Sequence, residues 1–295
     1  MVLNASAGPG HAAQTLERLQ AHFDEAGVRV CISQARNGDE LGRLAGEAMR
    51  KRPALLIAGG GDGTLSAVAD VTRGTGTALG ILPLGTYNHF ARDLGIPLDL
   101  AQAVRTAIHG KRTLVDVGEL NGACFLNNAS LGIYPVIVRR RDFQQRQLGR
   151  AKFSATLWAI WSVVRRSPFM RLRIAIDGEE RGWRAPFVFI GNNAYNMQGF
   201  GIGTRERIDC GTLSVYSTPR GSRYGLLKLA LHALFGRLEQ SKDFFAMSAT
   251  EVRVESSRPR LRVGADGEVR LLQTPLELRV VPRSLLVMAP PGSAP

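Results

Sequence analysis

The sequence predicts an α/β-plus-β protein. A doubly wound α/β domain is expected over residues 1–117 and a β-rich domain, an antiparallel β-sandwich, over 118–283. The chain end, 284–295, is expected to return to the first domain. Three observations predict this. Strand-length apolar runs alternate with helically periodic segments through the first part of the chain, as in a parallel sheet with crossover helices. After Asp116, short apolar or alternating runs are punctuated by Asn121-Gly122, Asp177-Gly178 and Asp266-Gly267, the turn signals of an antiparallel sheet. Between them, the stretch IAGGGDGTLSAVAD, from Ile57 to Asp70, places four glycines and one aspartate between a buried run and a helical one. That is where parallel sheets bind ligands.

Val2-Leu3 ends a first, short strand, and Leu16, Leu19 and Phe23 recur at helical spacing within residues 11–26. Residues 28–32 read as the second strand, and 39–50 as a helix burying Leu41, Leu44, Ala45 and Ala48. A third strand over 54–58, a helix over 65–71 and a fourth strand over 78–82 follow, then helices over 87–94 and 100–108. In the second half, strands are expected over 124–130, 170–176, 185–190, 212–216, 251–254, 260–263 and 276–280. Helical stretches around 152–165 and 226–238 interrupt them.

A chain of 295 residues with 44% hydrophobic content can bury a sizeable core. No apolar run approaches the ~20 residues of a spanning helix, and the N-terminus lacks the features of a signal peptide. A soluble or peripheral protein is expected, cytoplasmic or at the inner face of the membrane. Cys31, Cys124 and Cys210 are odd in number, far apart and in no CxxC pattern, which argues against a disulfide scaffold or zinc site. They are expected to be buried or half-buried thiols in a reducing compartment. The net charge of +13, with 33 of the 38 cations arginine, favours a polyanionic partner: phosphate ligands, anionic membrane or nucleic acid.

Glycine lets backbone N–H groups approach a phosphate, and the following helix adds its positive end. The stretch is neither a dinucleotide fingerprint, since Thr64 occupies the last glycine position, nor a P-loop, since no GK[ST] follows. The plainer alternative is a tight turn with Asp62 as a helix cap. A carboxylate inside a phosphate cradle is repulsive unless a cation bridges it, so Asp62 points to Mg²⁺. Leu82-Pro-Leu-Gly-Thr-Tyr-Asn-His-Phe-Ala-Arg92 is a second loop from strand to helix. Gly85, Thr86 and Asn88 there offer an N–H, a hydroxyl and an amide. Asn4-Ala-Ser-Ala-Gly8, after the first strand, is a third.

Gly60-Gly-Asp-Gly-Thr64 resembles the GGDGT signature of the diacylglycerol kinase catalytic-domain family, which includes bacterial lipid kinases and sphingosine kinases. Asn4-Ala-Ser-Ala-Gly8 resembles its N-P-x-S-G loop, with Ala5 in place of proline, and Leu84 to Arg92 its LGTxNDFAR segment. Asn127-Asn-Ala-Ser-Leu-Gly132 resembles the opening of its second domain, and Ala265-Asp-Gly-Glu268 its late DGE motif. The order is the family's, over nearly the whole chain. The resemblance implies an NAD-kinase/diacylglycerol-kinase-like nucleotide-binding domain. It also implies ATP and Mg²⁺, with the γ-phosphate passed to a lipid hydroxyl, diacylglycerol being the default acceptor. It assigns Asn4, Ser6, Gly8, Ser33, Gly60, Gly61, Asp62, Gly63, Thr64, Leu65, Ser66, Gly85, Thr86 and Asn88 to the nucleotide. Glu268 would take the proton, with Asp266 its partner or a metal contact.

Two departures are visible. His89 stands where many relatives carry Asp, a variation that a bacterial subgroup shares. Asp209-Cys-Gly211 replaces Asp-Asp-Gly, and Cys210 is a soft ligand that puts a structural Mg²⁺ site near Arg207, Cys210 and Thr212 in doubt. Arg139-Arg-Arg141, Arg146, Arg150 and Lys152, beside Phe153, Leu157, Trp158 and Trp161, suit an anionic membrane surface or an ordinary charged face. The other readings are a sphingoid or other lipid-alcohol kinase, and a non-catalytic nucleotide- or lipid-binding regulator. NAD kinases share GGDGT but not the other motifs. A nucleic-acid binder is disfavoured by the lack of a recognised module.

Overall fold

The computed structural model describes residues 1–5, 12–132, 169–195, 205–218 and 245–292. The chain divides into two compact units, Met1–Asn127 with Glu206–Gly211 and Val281–Pro295, and Asn128–Arg205 with Thr212–Val280. The first contains β1 (Val2–Asn4), α1 (Ala12–Glu25), β2 (Ser33–Ala35), α2 (Gly38–Arg50), β3 (Leu55–Gly60), α3 (Asp62–Thr72), β4 (Ala78–Pro83), α4 (His89–Asp93), α5 (Leu100–His109), β5 (Lys111–Leu120) and β6 (Ala123–Phe125). The second contains β7 (Asn128–Gly132), β8 (Met170–Ile176), β9 (Glu179–Ala185), β10 (Phe187–Asn192), β11 (Leu213–Ser217), β12 (Phe245–Ala249), β13 (Glu251–Ser256), β14 (Arg260–Ala265) and β15 (Glu268–Gln273). The last strand, β16 (Leu276–Ala289), begins in the second unit and ends in the first.

In the first unit the order is β2-β1-β3-β4-β16, with every neighbouring pair parallel. This arrangement aligns Asn4, Gly60 and Pro83 at the carboxyl ends of β1, β3 and β4. β4 is buried at all six positions, the pattern of a strand covered on both faces. Leu19, Phe23, Leu65, Leu79, Ile81 and Phe90 fill the core around it. α2 and α5 start on side-chain caps, Asn37 accepting from the Glu40 N–H and Asp99 from the Gln102 N–H.

The second strand is Ser33–Ala35 and not residues 28–32. β1 has only three residues to pair with, and its ladder starts at Val2 opposite Ser33. Ser33 therefore opens the strand instead of following it. The first unit runs to Asn127, not 117, because β5 and β6 pair with each other and β5 with β16. Fully buried Asp116 ties two distant segments into this unit. Its carboxylate accepts from the Gly211 N–H at 2.6 Å and the Arg283 N–H at 2.8 Å, and its own N–H donates to the Ile208 carbonyl. Cys31 and Cys210 are exposed rather than buried, and Cys124 is half-buried.

The second unit is the antiparallel sandwich. One sheet has the order β12-β11-β10-β7-β14-β15, and the other pairs the first part of β16 with β13, then β8, then β9. All three Asx-Gly pairs are two-residue hairpin turns with both residues at positive φ: 49° and 85° at Asn121-Gly122, 47° and 88° at Asp177-Gly178, 45° and 87° at Asp266-Gly267. Only residues that tolerate the left-handed region fit such turns. β5, β9 and β15 escape the apolar patterning because their sequences are largely polar or broken by charge. The stretches 139–161, 152–165 and 226–238 lie outside the described residues.

Asp177 shows what such a turn contributes. Desolvation would push its carboxyl up, but the Glu251 and Thr250 N–H groups and the Thr250 hydroxyl hold it below the ordinary value of 3.8. A depressed native pKa stabilises the fold above the unfolded-state value and ceases to do so as pH falls through the native one. Asp177→Asn is therefore expected to be less stable than wild type near neutrality, with the gap closing on acidification. Urea midpoints between pH ~3 and ~7 measure it.

Candidate active site

At the carboxyl edge of the parallel sheet, three loops meet through short polar contacts. The Asn4 amide donates to the Thr64 hydroxyl at 3.2 Å, joining the end of β1 to the first turn of α3. A Cβ on Gly60 would collide with Thr64, and one on Gly85 would collide with the Gly61 backbone. These two glycine loops thus lie backbone against backbone, an approach that no side chain would permit. α3 starts at Gly61 with no side-chain cap, unlike α2 and α5. The first-turn N–H groups of Asp62, Gly63 and Thr64 are the donors that a helix leaves without an intrahelical acceptor.

Asp62 turns its carboxylate onto the next loop. Oδ1 accepts from the Phe90 N–H at 3.0 Å and the Asn127 amide at 3.1 Å, and Oδ2 from the His89 N–H at 3.2 Å. It caps α4, not its own helix. Three donors thus fix the orientation of the carboxylate and stabilise its charge. Asn88 is also different from the expectation of a free amide for phosphate. Held at φ 53°, it accepts from the Gly85 N–H and donates to the Gly85 and Pro83 carbonyls. It shapes the loop that presents Gly85 and the exposed Thr86. Asn88→Gly, which keeps the dihedral and deletes these bonds, is expected to cost ~2 kcal/mol in a denaturant titration and to weaken nucleotide binding.

Leu65 packs in the core with its N–H on the Gly61 carbonyl. The Ser66 hydroxyl donates back to the Asp62 carbonyl at 3.0 Å. Ser33 sits at the amino end of β2, opposite Val2, and not at the carboxyl edge. Ser6 and Gly8 lie outside the described residues. Arg207 pairs with Asp209 at 2.9 Å beside exposed Cys210, and Thr212 falls in the second unit, where its carbonyl accepts from the Asn193 N–H. Among the described residues no group of three His, Cys, Asp or Glu side chains is arranged to hold a metal ion.

Asp266 and Glu268 lie in the second unit, on the β14–β15 hairpin. Buried Asp266 accepts from the Asn128 N–H at 3.1 Å and returns its own N–H to the Asn128 carbonyl. Exposed Glu268 pairs with Arg270 at 2.7 Å. The Asp177-Gly178-Glu179 hairpin repeats this pattern: Asp177 exchanges backbone and side-chain bonds with Glu251, and Glu179 pairs with Arg181 at 2.8 Å. Local geometry alone does not separate the two. Asn127, buried against Asp62, was not assigned from sequence; its contact spans 65 positions and no local pattern announces it.

Comparison with known proteins adds what the geometry lacks. The family model described as the diacylglycerol kinase catalytic domain matches residues 1–120, and that described as the YegS C-terminal NAD kinase beta sandwich-like domain matches residues 129–289. A Pseudomonas aeruginosa protein named "Probable lipid kinase YegS-like" is 32% identical over 91% of this chain and 87% of its own. The chain belongs to the YegS-like lipid kinase family. A Chromohalobacter salexigens kinase of the same name is 31% identical over 97% of this chain and 92% of its own. A crystal structure of a diacylglycerol kinase from Bacillus anthracis str. Sterne shares the fold with a TM-score of 0.74, at 22% identity over 98% of this chain and 96% of that one. As a YegS-like kinase the chain is a phosphotransferase with an alcohol acceptor. The α/β unit with its parallel sheet and the antiparallel sandwich are the two parts of that fold.

Proposed function

We propose that this YegS-like kinase transfers the γ-phosphate of ATP to the hydroxyl of a membrane lipid, with diacylglycerol the acceptor and phosphatidic acid the product. The observation that carries the reading is the edge of the parallel sheet, where the uncapped start of α3 lies between two glycine loops in backbone contact. Backbone N–H groups and the positive end of a helix suit phosphate oxygens. Mg²⁺, when bound with the nucleotide, would supply positive charge against the phosphates during transfer. Mg²⁺ in kinases keeps waters and phosphate oxygens as most of its ligands, so one carboxylate suffices on the protein side. Asp62, fixed in orientation by its three donors, is the residue we assign to it.

Glu268 is the assigned proton acceptor. The lipid hydroxyl gives its proton to this carboxylate while its oxygen bonds to the γ-phosphorus. The bond from that phosphorus to the β–γ bridging oxygen breaks, and ADP leaves. Asp266 holds the turn that carries Glu268 and acts as a positioning residue. A lipid acceptor sits in a bilayer, and a net charge of +13 favours peripheral association with an anionic one.

The test is incubation with γ-labelled ATP, Mg²⁺ and mixed micelles containing diacylglycerol, ceramide, sphingosine or undecaprenol, with Glu268→Gln alongside. Labelled phosphatidic acid that vanishes in the variant is the expected result. Label in another lipid would replace the acceptor, and ATP binding without any labelled lipid would favour a non-catalytic regulator.

A further inference from the structure

The β14–β15 hairpin carries a surface that the transfer chemistry does not use. Among the described residues β15 is the edge strand of its sheet, and five of its six residues are exposed. The register places Arg260 opposite Gln273, Arg262 opposite Leu271 and Gly264 opposite Val269, all on one face. The alternate positions, Leu261 and Val263, are buried on the other face. Leu271 is 57% exposed, the most among the large hydrophobics of the described residues, and Val269 is 38% exposed. No acid occupies any of the six positions on the first face, and Arg258 stands exposed in the loop before β14. The Arg258 carbonyl accepts the Thr274 hydroxyl at 3.1 Å and the Pro259 carbonyl accepts the Thr274 N–H, so the open end of the hairpin is tied.

An edge strand with uncovered apolar side chains invites pairing with another chain, and natural sheets guard such edges with charge. Arginine beside Leu271 and Val269 is that guard against a second copy, because two such faces would repel. The same pairing of cations with short apolar side chains fits a surface of anionic headgroups over an acyl boundary. We propose that this face of the hairpin is the membrane-docking surface, with anionic phospholipid as its partner. The proposal rests on the lipid-kinase reading for the reason to be at a bilayer. It is distinct from the basic run at 139–152 that the sequence suggested. Its consequence is that the strand starting at Glu268 is the one brought to the lipid surface.

The test is co-sedimentation of the full chain, without ATP, with vesicles of phosphatidylcholine alone or with about 30% phosphatidylglycerol. Wild type is expected to bind only the anionic vesicles, less so as salt is raised. Arg260→Gln with Arg262→Gln is expected to weaken binding about 25-fold, roughly fivefold per arginine. Val269→Thr with Leu271→Thr, which keeps β-compatible residues, is expected to weaken it about tenfold. Met247→Thr, at an exposed apolar site on the other edge strand, is expected to bind as wild type. All three variants should retain phosphorylation of a short-chain monomeric lipid, which separates failure of docking from failure of the kinase reading. Wild-type vesicle binding by both double variants, or no binding by the wild-type chain, would overturn the proposal. A dimer that Val269→Thr with Leu271→Thr dissociates, with vesicle binding intact, would overturn it in favour of edge pairing between copies.

Discussion

Asp62→Asn is expected to lose about 10²–10³-fold in kcat while the fold survives. The substitution keeps the shape and leaves an oxygen for the Phe90 N–H and the Asn127 amide. It places an NH₂ group against the His89 N–H at the other position, and it removes the charge that we assign to the metal. Loss of one capping acceptor costs ~1 kcal/mol, visible as a small drop in the denaturation midpoint. Loss of metal charge acts on the transfer step, and so appears in kcat and in the Mg²⁺ concentration required for half-maximal rate. Steady-state kinetics with a Mg²⁺ titration distinguish the two. Wild-type turnover with only a lowered midpoint would reduce Asp62 to the cap of α4.

Glu268→Gln is expected to lower kcat by about 10²–10⁴-fold with little change in the KM for ATP, as for a base that acts only in the transition state. Stability should hardly change, because an exposed Glu–Arg pair such as Glu268–Arg270 contributes roughly 0–1 kcal/mol. The chain supplies its own control. Glu179 occupies the same position in the same type of hairpin, with the same pairing to an arginine two residues on. Glu179→Gln should leave transfer untouched. Equal losses in both variants would mean that the measurement reports surface charge, and equal retention would remove Glu268 from the chemistry.

The contrast between these two hairpins shows where sequence reading is strong. Asp-Gly fixes a two-residue turn wherever it stands between strands, since the turn requires left-handed dihedrals that few residues adopt. The sequence therefore placed all three Asx-Gly turns, the alternation of strands and helices, and the glycine loops that define the carboxyl edge. Motif order likewise pointed to the lipid kinase family. These features depend on residues near in sequence or on the chain's own periodicity.

Other features depend on partners far along the chain. Nothing near Asp62 indicates that its carboxylate caps α4 and meets Asn127. The start of β2 is set by the brevity of β1, and Glu206–Gly211 joins the first unit through buried Asp116. By itself the sequence determined the fold class, the turns and the residue types at the candidate site. The tertiary structure decided which polar groups bond to one another, because a side chain's donors and acceptors are assigned by neighbours in space.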